Sequence, residues 1–236
     1  MKHPDELLRL RKEYEDRKSR FSGSNRYSLF NPANLFAIQQ RQRTIIKLLQ
    51  KRGFTTLSDL RILEIGCGSG GVLSEFMSFG AFPGNITGVD LIHDRLAHAN
   101  AWLPGSYFIN ADGQFLPFPA KSFDLVIQFT ALSSVLDPAI RQKICIDMLR
   151  VLRSSGFILW YDFWLNPTNQ QTHGIQIAEV RSLFPDCFIE FHKITLAPPI
   201  ARRVVPISRT FALLLEKLKI FNSHYLASIW PINGSL

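Results

Sequence analysis

The chain has 236 residues, 46% hydrophobic and 19% charged, which supports the core of one α/β domain and excludes a disordered polymer. Its apolar runs fall short of the roughly 18 residues that a membrane span needs. The N-terminus lacks an apolar signal core, and Cys67, Cys145 and Cys187 have neither zinc-site spacing nor an even count for disulfides, so we expect a cytoplasmic protein without metal or stable membrane insertion. The net charge of +8 is uneven: residues 1–61 hold 14 Lys/Arg against 6 Asp/Glu, and residues 62–236 hold 13 of each.

Pro4, Asp5 and Glu6 open a helix whose last turn carries Arg17, Lys18 and Arg20, an order that suits the helix dipole. Ser22-Gly23-Ser24-Asn25 reads as a turn. A second helix begins after Pro32, runs to Lys51 and stops at Gly53, with Leu35, Ile38, Ile45 and Leu49 at helical spacing. From Arg61 onward, β-rich runs at 61–65, 85–90, 106–109, 123–129, 156–163, 187–195 and 224–230 alternate with helical patterns. That alternation predicts an α/β fold with a mostly parallel sheet covered on both faces. Asp137-Pro138 caps a helix that ends near Arg150 and Arg153, ahead of Gly156. Residues 196–223 interrupt the pattern. Ala197-Pro198-Pro199 and Pro206 argue against regular structure there at first; Phe211, Leu214, Leu215 and Leu218 then form a helical stripe.

The run Arg61-Ile62-Leu63-Glu64-Ile65 leads into Gly66-Cys67-Gly68-Ser69-Gly70-Gly71, and a second run, Ile86-Thr87-Gly88-Val89, ends in Asp90. A strand, a glycine turn, a helix and a strand ending in a carboxylate make the layout of a nucleoside pocket, with Asp90 placed to accept ribose hydroxyls. Gly66, Gly68 and Gly71 also satisfy the spacing of a nicotinamide dehydrogenase. Glu64 argues against that reading, because a dinucleotide fold keeps an apolar strand residue there. Further on come Asn110-Ala111-Asp112-Gly113, Leu116-Pro117-Phe118 and Ser122-Phe123-Asp124-Leu125-Val126.

In this order, the segments over about residues 60–163 resemble the class I S-adenosylmethionine-dependent methyltransferases of the small-molecule branch. The resemblance implies a Rossmann-like, seven-stranded, mostly parallel sheet with an antiparallel last strand, and S-adenosyl-L-methionine as cofactor. It implies that Gly66, Gly68 and Gly70 pass under the methionine part, with Cys67 a small filler in the turn. Glu64 would orient the ammonium, Asp90 the ribose, and Asp112 with the Gly113 amide the adenine. Leu91 and Ile92 would flank the adenine, while Gln128 and Phe129 face the sulfonium side. Residues 1–55 then form a helical arm or cap over the active site, residues 56–236 the methyltransferase domain, and 196–223 a lid insertion.

An aliphatic or sugar hydroxyl acceptor benefits from a general base. Asp162 and His173, near the carboxyl end of the fifth predicted strand, are candidate bases. Tyr161, Asn166 (before Pro167), Arg202, Arg203 and Tyr27 are candidate acceptor contacts, and Tyr27, Phe30 and Phe36 could close over the cofactor. Weaker likenesses at 26–32, 128–130 and 160–163 to methyltransferases of bacterial glycan and secondary-metabolite pathways favour a hydroxyl on a sugar or glycan precursor or on a natural product, with an amine also open. The basic arm leaves two alternatives, an RNA methyltransferase and a membrane-associated quinone or lipid methyltransferase. Glu13, Glu15 and Asp16 interrupt the basic run, and Gln128-Phe129-Thr130 replaces the Asn/Asp-Pro-Pro-aromatic motif of base-amine enzymes; both count against nucleic acid.

Overall fold

The computed structural model describes residues 3–20, 23–166, 169 and 171–232, so Ser22 and Pro167 of the readings above lie outside the described residues. The first helix, α1, covers His3–Arg20, and α2 covers Pro32–Lys51. Asn31 caps α2 by accepting from the Ala33 amide, with proline in the first turn, where no backbone donor is lost. The buried face of α2 is Ala33, Phe36, Gln40, Ile45, Leu48 and Leu49. Leu35 and Ile38 of the predicted stripe are only half-buried, because the helix turns Phe36 inward instead.

Alternation then follows as predicted: β1 (Ile62–Ile65), α3 (Gly71–Ser78), β2 (Ile86–Asp90), α4 (His93–Trp102), β3 (Tyr107–Asn110), β4 (Phe123–Phe129), α5 (Pro138–Val151), β5 (Leu152–Phe163), α6 (Ile177–Leu183), β6 (Cys187–Leu196), α7 (Pro198–Val204), α8 (Arg209–Lys217) and β7 (Asn222–Pro231). The strands form one seven-stranded sheet in the order β3-β2-β1-β4-β5-β7-β6. β1 to β5 pair in parallel, and β7 runs antiparallel to both β5 and β6. One face packs against α5, α6 and Leu10 of α1; the other packs against α2, α3 and α4. Strand order reverses between β1 and β4, and open α/β sheets bind ligands outside the carboxyl ends of such strands.

Two expectations are corrected. β5 starts at Leu152 rather than 156, because the β4–β5 register shifts between Phe123 and Leu125 and lets the pairing begin earlier. Gly156 stands beside that irregularity, where a Cβ would come 2.7 Å from the Asp124 carbonyl oxygen. Pro198 and Pro199 start a helix rather than prevent one, since proline at the first helical positions loses no hydrogen bond. α7 and α8 together pack on the N-terminal half of α2 through Phe36, Ala201, Val205 and Ala212.

Candidate active site

The glycine turn is built at the carboxyl end of β1. Gly66, Gly68 and Gly70 adopt φ of +74°, +54° and +80°, a region that L side chains rarely enter. The amides of Gly66 and Cys67 both donate to the Val89 carbonyl (2.8 and 3.0 Å), which laces the turn to the end of β2. Asp90 completes the link: Oδ2 accepts from the Gly68 amide and Oδ1 from the Ile92 amide, each at 2.8 Å. Each oxygen retains a further lone pair. Arg95 Nη1 lies 3.7 Å from Asp90 Oδ2, and its guanidinium sits over Gly68, where a Cβ would overlap it. Cys67 fills the turn, buried beneath Gly88, and burial raises its thiol pKa.

A cleft of about 680 Å³, partly open to solvent, lies above this floor. Of the expected cofactor contacts, Gly66, Asp90, Leu91, Asp112, Gly113 and Gln128 line it. Ile92, Val135, Ile140 and Ile144 add apolar walls. Asp112 braces its own turn by accepting from the Gln114 amide and side chain, both at 2.9 Å. Strand period separates the Gln128–Phe129 pair. Gln128 turns to the cleft, whereas Phe129 turns to the opposite face, against Phe76 and Tyr161.

Glu64 shares that opposite face at the end of β1 and is only 2% exposed. Its Oε2 has no hydrogen-bond partner. Burial pushes the carboxyl well above its usual pKa, and nearby Arg41 offsets this only in part. Arg41 reaches down from α2, pairs with Glu75, and lies 5.5 and 5.3 Å from the Phe129 and Tyr161 ring centroids. Tyr161 is packed, not open. Its hydroxyl pairs with Thr195 Oγ1 at 2.8 Å, and its ring stacks on His224 at 4.8 Å. Burial drops the His224 pKa to about 3, which keeps that imidazole neutral.

Neither candidate base lines the cleft; both converge on Ser133 instead. Asp162, fully buried, accepts from the Ser133 amide (3.1 Å) and from the Phe163 amide (3.0 Å). Burial raises its pKa to about 7 against the pull of those bonds. The Gln128 amide lies against this carboxyl without completing a hydrogen bond. His173 donates its backbone amide to the Ser133 carbonyl (2.7 Å), while its ring, 48% exposed, meets Glu179 at 3.1 Å. Ser133 is the middle of a 3-10 turn, Leu132–Ser134, whose outer residues line the cleft. The sequence-derived acceptor contacts are scattered. Asn166 bonds Thr172, Arg202 and Arg203 are exposed in the last turn of α7, and Tyr27 is exposed ahead of α2.

Sequence reasoning expected a helical cap but named Tyr27, Phe30 and Phe36 for it and missed the residues of α1 that reach the cleft. The arm lines it with Leu7, Leu10 and Tyr14, whereas Phe30 is 96% exposed and Phe36 is buried under α7. The spacing i, i+3, i+7 within an otherwise charged helix was the available signal. Glu6 pins α1 by accepting from the Leu136 amide (2.6 Å) and from Arg9, which also donates to the Ser134 carbonyl (2.5 Å). Burial alone would raise the Glu6 carboxyl, yet these bonds hold it below its usual value. Tyr14 lies 4.8 Å from the Arg95 guanidinium, above Gly68. Arg17 and Arg20 both pair with Glu13, two guanidinium groups on one carboxylate, so this cluster keeps a net positive charge.

Sheet order, glycine floor and the two strand-end acids make a fold shared with solved S-adenosylmethionine-dependent methyltransferases. Residues 63–160 match the family model described as a methyltransferase domain. Phthiotriol/phenolphthiotriol dimycocerosates methyltransferase 1 of Mycobacterium ulcerans is 35% identical over 116 residues, 48% of this chain and 41% of that protein. The fatty-acid O-methyltransferase of Mycolicibacterium smegmatis is 36% identical over 104 residues, 43% and 36% of the two chains. The match thus spans about two fifths of the length of these curated relatives. Among solved structures, Haemonchus contortus phosphoethanolamine N-methyltransferase 1, in complex with phosphoethanolamine and S-adenosylhomocysteine, superposes with a TM-score of 0.65 at 15% identity, covering all of this chain and 51% of that one. A methyltransferase from Mesorhizobium loti gives 0.54 at 20% identity, covering 76% and 94%. These structural likenesses establish the fold alone.

Proposed function

We propose that the protein transfers a methyl group from S-adenosyl-L-methionine to an oxygen of a small, largely apolar acceptor, a lipid or natural product. The observation that carries this reading is Glu64: a buried carboxylate with an unpartnered oxygen, beside a glycine floor and the strand-end Asp90. An unpaired buried acceptor is costly unless a cationic donor meets it. A methionine ammonium is such a donor. Gly66 lines the cleft, and its lack of a side chain lets Ala131 pack directly against this part of the floor. In this reading Asp90 holds the ribose, Asp112 and Gly113 the adenine edge, and Leu91 and Ile92 its flanks. Bound there, the cofactor supplies an electrophilic methyl on sulfur.

The remaining work is alignment and exclusion of water, which can supply much of the rate for an activated donor. Leu7, Leu10 and Tyr14 then serve as the cap of residues 1–55. Asp162 and His173 act as positioning residues through Ser133, which holds the Leu132–Ser134 turn at the cleft wall. An oxygen acceptor is supported by the fatty-acid O-methyltransferase relative and a lipid acceptor by both curated relatives; an amine acceptor and a sugar are the competing outcomes.

The test is calorimetry with S-adenosylhomocysteine, then turnover of methyl-labelled donor against fatty acids, hydroxylated lipids, sugars and amines. The expected result is binding that Asp90→Ala abolishes, with label moving to an oxygen of an apolar acceptor. Binding of NADH with no affinity for S-adenosylhomocysteine would overturn the cofactor assignment. Label on sugars or amines only would overturn the acceptor class.

A further inference from the structure

The α7–α8 hairpin presents its large apolar residues to the outside. In α8, Ala212 is buried against α2, while Phe211 (52% exposed), Leu214 (54%) and Leu218 (58%) form the outward stripe. Ile207 before the helix and Ile220 after it extend the stripe and are 86% and 71% exposed. An ordinary surface helix buries this side and shows its polar one. A contiguous apolar surface of this kind marks an interaction site.

The hairpin is also cationic. Arg202, Arg203, Arg209, Lys217 and Lys219 are exposed and stand against the single carboxylate of Glu216. Arg43 and Lys47 of α2 add further positive charge toward Glu216. The hairpin is firmly seated. Asn222 Nδ2 donates to the carbonyls of Glu216 (3.0 Å) and Lys193 (3.2 Å), the Ala197 amide donates to the Phe221 carbonyl (2.9 Å), and Arg209 bonds Gln39. An aliphatic and aromatic stripe flanked by cations is the chemistry of a helix lying in the headgroup region of an anionic bilayer. A second copy of this face would bring cations against cations, which disfavours self-association through it.

We propose that the outward face of α7–α8 docks on an anionic lipid membrane surface, with Phe211, Leu214 and Leu218 entering the acyl boundary and the flanking cations meeting headgroups. None of these residues lines the cofactor cleft, so the two readings can fail separately. The test is co-sedimentation of the full chain with phosphatidylcholine vesicles containing 30% phosphatidylglycerol, and with pure phosphatidylcholine vesicles. Sedimentation velocity without lipid and calorimetry with S-adenosylhomocysteine use the same preparations.

The expected result is binding to anionic vesicles at least tenfold tighter than to neutral ones, weakened by salt. The triple variant Phe211→Ser, Leu214→Ser, Leu218→Ser should lose at least tenfold of it, with S-adenosylhomocysteine affinity within twofold of the parent. Absence of binding to anionic vesicles would overturn the proposal, as would a triple variant that binds them equally well. A concentration-dependent dimer that the triple variant abolishes, without vesicle binding, would assign the face to a second copy and also overturn it.

Discussion

Replacing Glu64 by Gln should move stability and cofactor affinity in opposite directions. In the protein alone Glu64 is 2% exposed, its Oε2 has no partner, and Glu75 and Asp90 add like charge around it. Burial is the largest influence and raises the carboxyl well above 4.5, with Arg41 pulling the other way. A carboxyl raised on folding contributes stability that is fully present below its unfolded pKa and is lost as pH rises through its folded pKa. Glu64→Gln removes this loss, so the ligand-free variant should melt higher than the parent at pH 8 and differ less near pH 4. Binding should respond the other way. A hydrogen bond to a charged group contributes about 1.5–3 kcal/mol, and 1.4 kcal/mol is tenfold, so losing the ammonium partner should weaken S-adenosylhomocysteine by roughly 10- to 150-fold. Differential scanning fluorimetry at both pH values, with and without ligand, and calorimetry provide the readouts. Unchanged affinity together with unchanged melting would refute the argument, because Glu64 would then neither suffer from burial nor meet the ligand.

Gly66→Ala should destabilise by about 2–5 kcal/mol, the sum of a left-handed backbone and overpacking, because its Cβ would overlap that of Ala131, which is fixed by backbone. Gly70→Ala should be nearer 1–2 kcal/mol, since its Cβ meets the movable tip of Leu103 at 2.8 Å; equal urea midpoints for the two variants would contradict this ranking. Asp162→Asn should stabilise the protein increasingly between pH 4 and 7, by roughly 1.4 kcal/mol per pH unit, because burial raises Asp162 from 3.8 to about 7. A pH-independent difference in melting would show that Asp162 keeps its charge throughout.

Much of the fold was legible because its signals are local. Strand and helix periods, the break at Pro32, the Asp137-Pro138 cap and the glycine turn each act over a few residues, and the elements appear within a few residues of where the pattern put them. The proline-led start of α7 was misread for an equally local reason, since Pro198 and Pro199 suit the first turn of a helix as well as they break its middle. The separation of Gln128 from Phe129 was also implicit in the strand period, although motif reasoning treated the pair as one unit.

The surroundings of the cleft were not legible in the same way. That Leu7, Leu10 and Tyr14 line it depends on Glu6 meeting the Leu136 amide, 130 residues away in the chain. That Asp162 and His173 meet at Ser133, rather than at an acceptor, depends on where β5 and the loop after it carry them. The exposed stripe of α8 illustrates the division most clearly. Helical spacing set Phe211, Leu214 and Leu218 on one side, but only the packing of Ala212 against α2 decided that this side faces outward. Sequence by itself determined the elements, the glycine floor and its acids, because those follow from backbone sterics and short-range periodicity. Tertiary structure alone decided which faces meet and which carboxylates lose water, because burial is a property of the whole assembled chain.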